Sequence, residues 1–151
     1  MKKEKIDSVW PLLAERELEP NDIDRLNHIG THPVHTDLAI LDAIEYQNAI
    51  GLDRKEARLK YLQHYWTSQL RGLPRVVVNT PEEISRHGGI GNVGIEGIEP
   101  ADLATRLMKE YQIFTVAINR PGVRGLRITP NIYTTTAELD SLVHAIKELS
   151  T

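Results

Sequence analysis

The sequence predicts an α/β sandwich in which helices cover one face of a mainly antiparallel sheet. Two observations carry that fold class. Between Pro33 and Arg71 apolar residues recur at helical spacing, whereas from Arg75 onward short β-branched runs alternate with helical ones in the order β-β-α-β-β-α. The stretch Gly125–Asp140, GLRITPNIYTTTAELD, then joins a strand, a stop at Pro130-Asn131 and a helix start in one short run.

Each element has its own signal. Lys2–Pro11 reads as a short helical or turn segment, and Ala14–Thr31 as polar and irregular around Pro20, Asp22 and Asp24. Pro33 opens a helix to about Ile50, with Leu38, Leu41 and Ile44 among its apolar positions. Gly51 supplies a left-handed stop. Asp53 and Glu56 restart a helix with capping-type spacing, and Ala57, Tyr61, Leu62, Tyr65, Trp66 and Leu70 give it a wide apolar stripe until Gly72 and Pro74. Arg75–Asn79 and Gly89–Ile95 read as strands, the second loosened by glycines. Glu99-Pro100 begins a third helix, with proline at its tolerated first position and Leu103, Ala104, Leu107, Met108 and Tyr111 as the buried side. Ile113–Ala117 and Gly125–Thr129 are two more strands. Thr135 and Glu138 have capping-box spacing, and Leu139, Leu142, Val143, Ile146 and Leu149 make the closing helix amphipathic.

Composition excludes several classes of function. The chain has 151 residues, 40% of them hydrophobic and 26% charged, which suits one domain with a core of its own. Its net charge is −3 and its basic residues are scattered, so no basic patch points to nucleic acid. No apolar run is long enough to cross a bilayer, and the start MKKEKIDSVW lacks the apolar core of a signal peptide, so the expected compartment is the cytoplasm. With no cysteine, disulfides, thiolate metal sites and cysteine nucleophiles are excluded.

Arg127 is the first candidate binding residue. It lies inside a predicted strand beside a helix start, and a guanidinium offers a planar fork of donors that matches a carboxylate. A surface ion pair of little energetic weight also explains a strand arginine, and on spacing alone it is the stronger explanation. Gly30 and Thr31, in Ile29-Gly30-Thr31-His32-Pro33, are the second: they precede a helix, where free amides and the dipole favour an anion. An ordinary threonine N-cap accounts for the same pattern, and on the residues alone it is the stronger explanation. His28, His32, His35 and Asp37 include metal-ligand types, but they cross a loop and a helix start and fix no single face, so no metal site is assigned. His87-Gly88-Gly89-Ile90-Gly91 enters a strand instead of leaving one for a helix, which reads as a flexible turn and not a dinucleotide fingerprint. Lys2, Lys3, Lys5, Lys55, Lys60, Lys109 and Lys147 all occupy charged or helix-surface contexts, and none reads as a desolvated amine ready for covalent chemistry.

Two blocks together go further than either alone. IGTHP with GLRITPNIYTTTAELD resembles the class V aminotransferase family of pyridoxal-phosphate enzymes, most closely its isopenicillin-N-epimerase-like branch. The similarity extends through KKEKIDSVWPLL, AIEYQNAIGLDRKEARLKYL and IGNVGIEGIEPADLATRLMKEYQIFTVAI, and so over nearly the whole chain. It implies the small C-terminal domain of an aspartate-aminotransferase-like fold over residues 33–151, preceded in 1–32 by the end of the large cofactor-binding domain. It also implies that Arg127 holds the substrate's α-carboxylate, and that Gly30 and Thr31 reach across a homodimer interface to the cofactor phosphate of the other subunit. In that family the lysine that carries pyridoxal 5′-phosphate lies upstream of the KKEKIDSVWPLL-like stretch. The resemblance therefore implies a C-terminal portion, inactive alone, of an epimerase, aminotransferase or carbon–sulfur lyase acting on an amino-acid-like substrate. Desulfurases of the same superfamily carry a cysteine ahead of the carboxylate-binding arginine, and Phe114–Arg124 has none, which argues against a persulfide mechanism. A stand-alone binding module that keeps the small-domain fold, or one half of a split enzyme, remain alternatives.

Overall fold

The computed structural model describes residues 2–10, 22–26 and 33–151, with Arg25 described in its backbone only. The chain divides into two compact units, Met1–Tyr46 and Gln47–Thr151. In the first, Lys3–Ser8 and Ile23–Leu26 form short 3-10 turns, and Ile6 is buried.

Helix α1 spans Val34–Ile50 and buries none of its residues. Val34, Leu38, Ile40, Leu41, Ile44 and Tyr46 are all exposed, so its apolar side chains are spread around the helix instead of gathered on one stripe. Gly51, at φ 89°, then breaks the backbone direction before helix α2, Leu52–Ser68. The start of α2 differs from expectation. Gly51 is its N-cap with no side-chain cap bond, and the Asp53–Glu56 pair forms no capping box. Glu56 instead pairs with Lys60 at 2.6 Å, one turn on.

The second unit is built on a four-stranded sheet of order β1-β2-β4-β3, antiparallel at every junction. Its strands are β1 Val76–Val78, β2 Gly91–Ile95, β3 Val116–Arg120 and β4 Val123–Ile128, with helix α3 at Pro100–Tyr111 and α4 at Thr136–Ser150. Strand alternation decides the layers. Val93, Ile95, Leu126 and Ile128 point to the helices and join Leu62, Trp66, Leu70, Leu103, Leu107 and the α4 residues Leu139, Leu142, Val143, Ala145, Ile146 and Leu149 in one core. Each fully buried large side chain of that set contributes about 1.5–3 kcal/mol relative to exposure. The predicted class, helices on one face of an antiparallel sheet, is the fold observed.

Local chemistry explains the boundaries. Thr135 accepts from the Glu138 amide while the Glu138 carboxylate accepts from the Thr135 amide at 2.7 Å, the complete capping box that the sequence predicts for α4. Glu99 is the N-cap of α3 and Pro100 follows it inside the helix. The strand expected at Ile113–Ala117 lies three residues later, because Gln112 adopts a left-handed conformation and the Gln112 and Ile113 amides both bond back to Leu107. That strand ends at the two-residue turn Pro121-Gly122. Proline first and a glycine at φ 82° second suit a type II turn.

The apolar stripe of α2 is narrower than its sequence suggests. Leu62, Trp66 and Leu70 are buried, while Ala57 and Tyr61 face solvent. The glycines before β2 also differ from a flexible turn. A Cβ at Gly91 would lie 2.4 Å from Trp66 Cζ2, and one at Gly89 would lie 2.8 Å from Leu59 Cβ, so both mark places where the chain passes close against α2.

Candidate functional site

Arg127 sits on β4, the inner strand between β2 and β3, with Asn92 opposite it on one side and Val116 on the other. Leu126 and Ile128 on either side of it are buried among the helices, so alternation turns Arg127 to the open face of the sheet. The strand therefore fixes the base of the side chain while the guanidinium stays exposed. Among the described residues no carboxylate forms an ion pair with it, whereas Arg124, three residues earlier on the same strand, is paired with Glu99. A guanidinium is charged at every physiological pH and must find an anion or water.

The surroundings of Arg127 on that face are polar and tightly ordered. Asn79, just past β1, donates its Nδ2 amide to Asn92 Oδ1 at 2.7 Å and to the Arg124 carbonyl at 2.9 Å. Asn92 is anchored by its backbone as well: its amide donates to Thr80 Oγ1 at 2.8 Å and its carbonyl accepts from the Asn79 amide at 3.0 Å. Gly125 makes the bridge possible. A Cβ there would fall 2.5 Å from the Val93 carbonyl oxygen and 2.7 Å from Asn92 Oδ1, and the residue adopts φ 154°. Beside this bridge an open groove of about 410 Å³ runs along Val77, Asn79, Gly94, Glu99, Arg124 and Gly125.

The loop after β4 is held as firmly. The Asn131 amide donates to Thr134 Oγ1 at 2.9 Å and the Ile132 amide to Asn131 Oδ1 at 2.7 Å. Arg58 of α2 donates to the Thr134 carbonyl at 3.0 Å and lies over the Tyr61 ring, 5.5 Å from its centroid. Tyr65 donates to Asp140 at 2.8 Å, which raises the Tyr65 hydroxyl above its ordinary value chiefly through that bond. These contacts tie α2 to the β4–α4 connection, so Arg127 projects from a framework fixed at both ends of its strand.

Of the residues singled out from sequence, Arg127 lies exposed on β4. Gly30 and Thr31 lie outside the described residues, as do His28 and His32, and among the described residues no cluster of three or more metal-ligating side chains occurs. Lys60 is paired with Glu56, Lys55 donates to Gln47 Oε1 at 2.7 Å, and Lys2, Lys3, Lys5, Lys109 and Lys147 are exposed. Sequence reasoning missed Asn79, Asn92 and Arg58. A usable signal existed for Asn92, since asparagine is depleted in strand interiors and this one stands between Gly91 and Val93 in a strand core.

An exposed guanidinium alone is a weak anion site. A solvent-exposed ion pair contributes about 0–1 kcal/mol, and the same pair gains strength only where water is excluded. The open face thus supplies orientation, and a covering surface would have to supply the low dielectric.

Comparison with known proteins bears on the family and the fold. The model of the aminotransferase class-V family matches residues 14–142. Isopenicillin N epimerase of Amycolatopsis lactamdurans is 28% identical over 131 residues, which cover 84% of this chain and 33% of that protein. The enzyme of the same name from Streptomyces clavuligerus is 28% identical over 127 residues, covering 83% and 32%. Among solved structures, the apo cysteine desulfurase of Thermococcus onnurineus superposes with a TM-score of 0.76 at 20% identity, over 99% of this chain and 42% of that one. The cysteine desulfurase CsdA of Escherichia coli gives 0.70 at 20% identity, over 97% and 40%. At that identity the structures establish the fold. The chain spans about a third of the length of the curated relatives it matches. Among the described residues no helix is long and apolar enough to cross a membrane. On the extent of the family match and the shared fold, the chain belongs to the class V aminotransferase family of pyridoxal-phosphate enzymes.

Proposed function

We propose that this chain is the C-terminal portion of a pyridoxal-phosphate-dependent class V enzyme, and that Arg127 binds the α-carboxylate of an amino-acid-like substrate. The observation that carries the proposal is the placement of Arg127: an exposed guanidinium on an inner strand, without an ion-pair partner among the described residues, beside an ordered polar bridge. Two parallel donors fix the plane of a carboxylate as well as its position, so the clamp orients the rest of the substrate.

The cofactor, when bound in a complete enzyme of this family, supplies the electron sink for chemistry at the substrate's α-carbon. The residues described here do not fit the role of its covalent partner. A reactive amine is desolvated or set beside another cation, whereas these lysines are exposed or held by Glu56 and Gln47. No reaction step is derived through the cofactor for that reason. Gly30 and Thr31 would contribute an amide and a hydroxyl to its phosphate across a homodimer interface, and the isolated chain would be inactive. The absence of cysteine supports epimerase, aminotransferase or carbon–sulfur lyase chemistry over desulfuration through this domain. We assign the chain to the cytoplasm on the same basis of composition.

The test is a titration of isotope-labelled protein with acetate, and with acetamide as the neutral control, read at the Arg127 Nε–H resonance. Acetate is expected to shift that resonance saturably and acetamide to leave it in place, and the accompanying shifts of the Asn92 and Val116 backbone amides on the flanking strands are expected to be lost in Arg127→Gln. An Arg127 resonance that ignores acetate, or that moves equally with both probes, overturns the assignment.

A further inference from the structure

The geometry points to Asn92 as a second donor at the same site: its side-chain amide, held in one orientation by Asn79, donates beside the Arg127 guanidinium to one carboxylate. This inference rests on the reading of Arg127 as a carboxylate-binding group and adds a residue to it.

The orientation follows from a chain of two hydrogen bonds. The Arg124 carbonyl can only accept, so the Asn79 group 2.9 Å from it must be the NH₂ end. The same NH₂ lies 2.7 Å from Asn92, and the atom it meets there must therefore be the carbonyl oxygen Oδ1. That leaves the NH₂ end of Asn92 as the free end. Two amides that could otherwise flip are thus set by one backbone carbonyl. The backbone of Asn92 is fixed in addition by Thr80 and by the Asn79 amide, so little conformational freedom remains to be lost when a ligand binds.

Position completes the argument. Asn92 and Arg127 are direct cross-strand partners, so their side chains rise from the same face with Cβ atoms about 4.5–5.5 Å apart. That spacing lets one carboxylate meet both groups. If Asn92 served only to join β1 to β2, its Oδ1 end would suffice. Its Nδ2 end has no hydrogen-bond partner among the described residues and is not among the buried polar atoms left unpaired, so it is open to solvent. Gly125 keeps the bridge in place, since any side chain there would strike Asn92 Oδ1. A neutral donor beside a cation also favours an acceptor such as a carboxylate over a cationic ligand, because both groups only donate at the free end.

The experiment follows the Asn92 Nδ2–H₂ and Arg127 Nε–H resonances through the same acetate titration, in the wild-type chain and in Asn92→Asp. Aspartate keeps an oxygen acceptor for Asn79 and removes the donor; because its charge would also pair with Arg127 across the strands, the weakening counts only where the neutral variant Asn92→Leu shows it as well. Both resonances are expected to move with one dissociation constant, and Asn92→Asp is expected to weaken acetate about threefold or more while the thermal midpoint stays within a few degrees. Movement of Arg127 alone, or an Asn92→Asp affinity within twofold of wild type, overturns the role of Asn92 and leaves the Arg127 reading standing. If neither resonance responds, the Arg127 reading fails and this inference with it. If Asn92→Asp does not fold, the wild-type resonances decide between these outcomes.

Discussion

Placing a methyl group on Gly91 should disrupt the core through one contact. The added Cβ would lie 2.4 Å from Trp66 Cζ2 and 3.0 Å from Cη2, against an ordinary contact near 3.4 Å, an overlap of about 1 Å. Trp66 has 0% exposure and is surrounded by core side chains, so its ring has no solvent side to swing into. Overpacking of this kind costs about 1–3 kcal/mol, and a rigid enclosed ring puts Gly91→Ala at the upper end, near ~3 kcal/mol. For a unit of this size that corresponds to a fall in Tm of about 10 °C. The assay is urea unfolding followed by Trp66 emission in a Trp10→Phe background, which is innocuous because Trp10 is 90% exposed. The companion is Trp66→Phe, read by circular dichroism, which removes the benzo carbons that meet the new methyl. On that background Gly91→Ala should cost less than ~1 kcal/mol, a coupling of about 2 kcal/mol within the range for residues in contact. A Gly91→Ala protein as stable as its parent, or an equal cost on both backgrounds, refutes the reasoning.

Other consequences are as direct. Thr135→Ala removes the N-cap of α4 and should cost ~1 kcal/mol in denaturant unfolding; an unchanged midpoint contradicts the capping box. The Thr135 amide and hydroxyl hold the Glu138 carboxyl below its ordinary value, so the bond contributes fully above the unfolded carboxylate range and is lost as pH falls through the folded value. The Tm gap between wild type and Glu138→Gln should therefore close in acid, and a gap independent of pH counts against it. Gln63 buries both side-chain amide atoms without a partner among the described residues, so Gln63→Met should stabilise the fold by about 1 kcal/mol; a loss of stability would reveal a bound water or partner there. Arg58→Leu should speed hydrogen exchange of the 131–134 turn while α4 stays protected, and equal protection in both proteins would show that Arg58 does not hold the loop.

Much of the fold was legible because its signals are local. Thr135 with Glu138, and Glu99 with Pro100, announce helix starts within one turn of chain, and both are found as read. The Asp53–Glu56 pair carried the same spacing and failed, because Lys60 on the next turn offers Glu56 an opposite charge and Gly51 already ends the preceding helix. Strand β3 was displaced because the left-handed turn at Gln112 consumes the residues that read as its beginning. The candidate site was legible only in part. Arg127 stood out by residue type within a recognisable motif, but its face depends on Leu126 and Ile128 packing under the helices. The Asn79–Asn92 bridge joins residues thirteen apart through side chains, and no local pattern announces such a pairing. Nor does spacing reveal that Gly89 and Gly91 yield space to Leu59 and Trp66, contacts that exist only once α2 lies on the sheet.

The central claim is that this chain holds the carboxylate clamp of a family member but not its covalent amine. Incubation of the purified chain with pyridoxal 5′-phosphate, borohydride reduction and intact mass measurement with peptide mapping test it most directly. The account predicts sparse labelling scattered over exposed lysines such as Lys109 and Lys147. One cofactor per chain, on a single lysine and abolished by substituting that residue, would contradict it.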